Sequence, residues 1–264
     1  MDRIDDATPY IAAAQALLYR VEIEGKIELT SLSLLQLCAL GAASQVAFDP
    51  AAAQVWLSRS QVERDDMTRS MLSGLAGTGL LHQYSDDRPE SDPQHYRFSP
   101  PLGLIMAARA RPSFIVVCDV EKHRLMREPV LFALGDQTNP VQAVVVEWPE
   151  PPPAGHEKSL SRLGPFGRLN RYMLTTVDYA AALLAEWAMI PTPKPKIGKQ
   201  PARAVSLFRH DAGHDAIGLR IAVRGDGAHA RLVSHSGAGM DVPAECDRQE
   251  LTNVMSLLLS LRQP

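Results

Sequence analysis

The sequence is short of cysteine, and what it has is scattered. Cys38, Cys118 and Cys246 show no C-x-x-C spacing, and their odd count argues against a disulfide framework. The opening MDRIDDATPY is acidic and polar, unlike the basic and then apolar start of a secretory leader, so a reducing cytoplasmic location is expected. No apolar run approaches about 18 residues, and no membrane span is expected. Positive charge is not in excess. With 27 Lys and Arg against 30 Asp and Glu, the net charge of −3 gives no global attraction to nucleic acid or anionic lipid, although one basic face stays open.

Chemical motifs are equally scarce. There is no G-x-S-x-G elbow, and Cys38 lies in an apolar helical stretch suited to a buried structural thiol. SHSGAGMD is glycine-rich but lacks the Lys and Ser/Thr arrangement that cradles phosphate, so it reads as a turn. In RHDAGHDA, His210 and His214 are four apart, which on a helix could hold a metal. Gly213 and the flanking strand patterns make it a polar loop instead. RGDG, Arg224 to Gly227, reads as an Asp-Gly hairpin turn, and KPKIGK as a solvated linker. No catalytic, cofactor-binding or metal site is expected, and the chain is not expected to be an enzyme.

What is present is an ordinary globular composition, 45% hydrophobic and 22% charged over 264 residues, enough for one large domain or two modest halves. Pro9 to Arg20 predicts a helix, and the alternating VEIEGKIEL a strand or hairpin around Gly25. Thr30 or Ser31 would cap a helix through SLLQLCALGAA, broken near Pro50. Val62, Met67, Met71, Leu72, Leu75 and Leu80 then recur at helical spacing, with Gly77 and Gly79 closing the helix. Ser99 and Pro100 open another.

From Ser113 the pattern turns to strands, SFIVVCDVE, PVLFAL and VQAVVVEW, the last two joined as a hairpin by GDQTNP. TTVDYAAALLAEWAMI predicts a helix opened by Thr175 and Asp178. The strands AVSLFRH, IGLRIAVRG and AHARLVSH follow, with GMDVPA as a further candidate. A last helix is capped by Asp247 with Glu250 three residues on.

The expected class is α+β: a mainly antiparallel central sheet in two quasi-repeated halves, flanked by helices. Residues 1–112 form a mostly helical part and 113–264 a sheet part, with proline-rich linkers at 149–158 and 191–203. The alternative is one compact domain over 21–264.

MTRSMLSGLAGTGLLHQY raises the possibility of a DNA-reading helix. In a winged helix one helix crosses the backbone and the next enters the major groove. If Leu57 opened the first, the eleven residues to Thr68 fall about five short of helix, turn and helix start. One continuous helix from about Ser60 is simpler, and Glu63, Asp65 and Asp66 would repel phosphate. Arg59, Arg64 and Arg69 remain the phosphate-contacting set under this alternative, a winged-helix transcriptional regulator with a C-terminal sensing domain. LHQY and QHYRF would be its wing.

Three stretches carry a family resemblance: IELTSLSLLQLCALG, VERDDMTRSMLSGLAGTGLL and SPPLGLIMAARARPSFIVV. In order, and with the closing leucine-rich helix, they resemble the EspG-type chaperones of type VII secretion over about Val21 to Leu261. Pro9 to Arg20 is an addition to that pattern, and HARLVSHSGAGMD stands where a DTxxGRY-like strand would be. The resemblance implies a quasi-two-fold sheet with helical bundles and a cytoplasmic chaperone or adaptor. It would shield the apolar tip of a secreted helical protein pair of the PE–PPE kind. Partner contacts would then fall on Asp136, Gln137, Thr138 and Asn139, on Arg224 and Asp226, and on Trp148 as an aromatic anchor, for which a strand-end core role is the competing reading.

Overall fold

The structure, a computed structural model, describes residues 8–41, 50–83, 95–110, 112–121, 128–134, 143–150, 164–192, 200–211, 214–236 and 242–260. The chain divides into two compact units. The first holds Met1–Tyr19, Glu28–Ala110 and Pro149–Met173, and the second Arg20–Ile27, Arg111–Trp148 and Leu174–Pro264. The class is α+β, with nine strands in one large, mainly antiparallel sheet and two more in a small one. No described helix is long and apolar enough to cross a membrane.

Helix α1 (Thr8–Glu24) runs further than its sequence pattern suggested. Val21 is fully buried while Ile23, two residues on, is 69% exposed, whereas a strand would put both on one face. Gly25 stops the helix at φ +74, its N–H closing on the Val21 carbonyl at 2.8 Å. Strand β1 (Lys26–Ser33) follows and leads into α2 (Leu34–Ala39). The cap of α2 is Ser33, not Thr30 or Ser31, because Ser33 alone has a glutamine three residues on. The Ser33 N–H donates to Gln36 Oε1 at 2.7 Å, and Ser33 Oγ accepts the Gln36 N–H at 3.2 Å.

The rest of the first unit comprises α3 (Pro50–Leu57), α4 (Gln61–Gly77), the antiparallel pair β2 (Leu81–Gln83) and β3 (Tyr96–Phe98), and α5 (Pro100–Ala110). Strand β7 (Leu169–Thr175), whose first five residues belong to this unit, lies beside β1 in the sheet. Sequence patterning passed over β7, since Asn170 and Arg171 interrupt its apolar run. Helix α2 packs on α4, and Trp56 of α3 meets Phe166 of the 3-10 turn Gly164–Gly167 edge-on at 6.3 Å. Leu34, Leu37, Leu72, Leu75, Leu102 and Ile105 are buried here.

In the second unit, β4 (Phe114–Val120), β5 (Val130–Leu134), β6 (Ala143–Pro149), β8 (Arg203–Asp211), β9 (His214–Gly225), β10 (Ala230–Ser236) and β11 (Glu245–Cys246) run in the order β6-β5-β4-β8-β9-β10-β11. Of GMDVPA, residues 239–241 lie outside the described residues; residues 242–244 are not in a strand, Pro243 having no N–H for a ladder, and the two-residue β11 follows at Glu245–Cys246. β4 is enclosed on both edges, antiparallel to β5 and, from Phe114↔Arg209 to Val120↔Arg203, to β8. That position accounts for the near-continuous apolar run FIVVCDV.

Helices α6 (Val177–Met189) and α7 (Arg248–Ser260) pack on each other, and α6 lies against β8 and β9. Thr176, one residue later than expected, caps α6; Thr175 closes β7 and donates its buried hydroxyl to the Val144 carbonyl at 3.2 Å. The Asp247–Glu250 box opens α7, with bonds of 2.8 and 2.9 Å.

A nearly buried polar cluster holds α6 to the strands beneath it. Glu128 Oε2 accepts the Trp187 indole N–H at 2.8 Å and lies 3.6 Å from the Arg203 guanidinium, which sits over the Trp187 ring at 4.8 Å. Arg203 also donates to the Ile190 carbonyl at 3.0 Å. Burial pushes the neighbouring Cys118 thiol well up, with Glu128 and Asp119 adding to it, so this sulfur stays protonated and inert.

Two stability outcomes follow from this packing. A β-carbon on Gly225 would collide with the backbone carbonyl of Met189. Gly225→Ala should therefore cost about 1–3 kcal/mol, read as a lowered urea midpoint. Trp187→Phe reduces the buried indole to a single ring and deletes one donor to the Glu128 carboxylate, at a cost of about 1–3 kcal/mol in the same assay.

Candidate functional site: a helix–turn–helix corner and a hairpin tip

Ser58, Arg59 and Ser60 alone separate α3 from α4. The turn is fixed from within: the Ser58 N–H bonds the Gln54 carbonyl at 3.0 Å, its hydroxyl bonds the Val55 carbonyl at 2.8 Å, and the Arg59 N–H bonds the Trp56 carbonyl at 3.2 Å. Ser60 then caps α4 in a box with Glu63, its own N–H donating to Glu63 Oε2 at 2.9 Å and its Oγ accepting the Glu63 N–H at 3.3 Å. The Ser60 backbone N–H, and then its hydroxyl, hold the Glu63 carboxyl below the usual range.

Helix α4 is continuous from Gln61 to Gly77, as the sequence suggested. The count from Leu57, however, started in the wrong place. Leu57 ends α3 rather than opening a helix, and Pro50 occupies the first position of α3, where a missing N–H costs nothing. Helix, turn, helix and the β2–β3 pair thus follow one another in the order of a winged helix. Thr68, Leu72 and Leu75 form the buried line of α4, with Met67 and Met71 half-buried. Val62 does not join that core: it is 71% exposed, and Leu57 across the turn is 64% exposed. Val62 is six residues before Thr68, about 120° around the helix from the buried line, so it faces away from the core although its spacing is roughly helical.

Of the three arginines of the DNA-reading alternative, Arg59 lies in the turn, Arg64 in the first turn of α4 and Arg69 more than a turn further along it, and each has a polar side-chain neighbour. Arg59 lies 3.7 Å from Glu63, and Arg69 lies 3.1 Å from Asp66. Arg64 donates to Gln61 Oε1 at 2.9 Å, and Gln61 in turn donates to Asp65 at 2.7 Å. From Arg59 to Arg69 three cations stand against Glu63, Asp65 and Asp66, leaving no net charge.

Other expected contact residues are dispersed. Asp136, Gln137, Thr138 and Asn139 lie outside the described residues. Trp148 is half-buried near the end of β6. Arg224 and Asp226 stand together at the β9–β10 hairpin, where the loop is four residues, Asp226 to His229, between the paired Gly225 and Ala230. Asp226 Oδ1 accepts the N–H groups of His229 at 2.7 Å and Ala228 at 2.9 Å, and those bonds, His229 first, hold its carboxyl below the usual range. Gly227, at φ +98, donates to the Met189 carbonyl at 3.1 Å, and Arg224 donates to the Gln200 carbonyl at 2.6 Å. Both polar side chains therefore build the tip itself.

At the β8–β9 turn the register sets His210 opposite Asp215 and His214 opposite Asp211. Among the described residues, no group of three or more His, Cys, Asp or Glu is placed to hold a metal ion. Comparison with family models, with curated proteins and with solved structures returns no match.

Both capping carboxylates are depressed in the folded protein, so their stabilisation is present above the ordinary carboxylate range and lost as pH falls through their lower folded values. Acidification should loosen the Asp226 loop and the first turn of α4 before the buried strands. The check is amide exchange at Ala228, His229 and Glu63 along a pH series, and equal protection at low pH would contradict it.

Proposed function

We propose that this chain is a non-enzymatic binding protein of the cytoplasm, a chaperone or adaptor that holds a secreted helical protein pair of the PE–PPE kind. The observation that carries the binding reading is the α3–α4 corner. Two exposed apolar side chains, Leu57 and Val62, flank a rigid, capped turn whose neighbouring charges satisfy one another. An apolar centre ringed by self-paired charges suits contact with an apolar protein tip and gives no steering toward phosphate. The type VII assignment rests on the resemblance of IELTSLSLLQLCALG, VERDDMTRSMLSGLAGTGLL and SPPLGLIMAARARPSFIVV to EspG-type chaperones.

The test is co-expression with a PE–PPE-type pair followed by size-exclusion chromatography, where the chain should co-elute with the pair. Leu57→Asp combined with Val62→Asp should weaken that complex at least about tenfold, the scale of a modest interface hot spot. Because both residues are exposed, the variant should unfold at an unchanged urea concentration. Co-elution that ignores the double substitution would remove the corner from the interface, and no co-elution at all would remove the chaperone reading.

The element order helix, turn, helix and hairpin favours a second reading, a winged-helix regulator. It requires DNA retention that falls steeply with salt and is lost on replacing Arg59, Arg64 and Arg69 by alanine. The proposed chaperone should show neither.

A further inference from the structure

We draw no further inference here: the strongest candidate, the exposed face of α1 carrying Tyr19 and Ile23, is an unpartnered apolar face, and nothing in the structure shows what covers it.

Discussion

The second unit depends on the pairing of β4 with β8. Seven consecutive residues of each strand are matched, from Phe114 with Arg209 to Val120 with Arg203, across a wide separation in sequence. Closing so long a loop costs entropy before any contact repays it, and the return comes from a fully enclosed strand. Ile115, Val116 and Cys118 are all buried as a result. The Glu128–Trp187–Arg203 cluster sits at one end of this ladder, since Arg203 is the partner of Val120. A slip of one residue would take Arg203 away from Glu128 and turn every β8 side chain to the other face. The cluster geometry is thus compatible with only one register of this ladder.

Much of this architecture was legible because local chemistry and tertiary packing agree. Ser60 with Glu63 and Asp247 with Glu250 are capping boxes readable from four letters, and both helices begin where those letters put them. The β-branched runs of β4, β5 and β6 likewise sit in the strands they predict. The misreadings come where one residue type serves two purposes. Pro50 reads as a helix breaker, whereas it opens α3, and the preceding described helix, α2, already ends at Ala39. Thr175 and Thr176 are both competent caps, and the carbonyl of Val144 takes the first into the strand. Asn170 hides β7 because a fully buried asparagine breaks the apolar pattern that marks a strand. Val62 misleads for another reason: roughly helical spacing is not yet one face, and about 100° per residue sets Val62 about 120° from the Thr68, Leu72 and Leu75 line.

Element order and surface chemistry pull the first unit in opposite directions. By order alone α3, α4, β2 and β3 would read as a DNA-binding module, and more firmly than a count from Leu57 allowed. Yet function resides in the chemistry a scaffold presents rather than in the scaffold. A groove-reading helix needs cations free to replace the counterions of phosphate. In α4 Arg69 is turned to Asp66, while Arg59 at the turn faces Glu63, and the acidic residues sit in the first turns that would meet the DNA. The same ion pairs that weaken a nucleic-acid reading leave the exposed Leu57 and Val62 as the apolar groups of the corner.

The sheet margins narrow the mode of binding further. β11 offers two residues of pairing before Pro243, which has no N–H, and β10 carries a register shift between Leu232 and Ser234. On the other margin, the Thr176–Gly25 and Leu34–Arg168 bonds are nine residues apart on the β1 side and eight on the β7 side. Those bonds fall just beyond the ends of β1, and within it the buried residues Ile27 and Leu32 are five apart, so burial changes phase along the strand. Bulges, short strands and proline are the devices that keep a sheet edge from accepting a foreign strand. A partner captured by strand addition would need a flat, regular edge, and among the described residues the β10–β11 margin is short and shifted in register. Under the proposed binding function, the turn between α3 and α4 is the place where exposed apolar side chains stand on a capped, hydrogen-bonded frame.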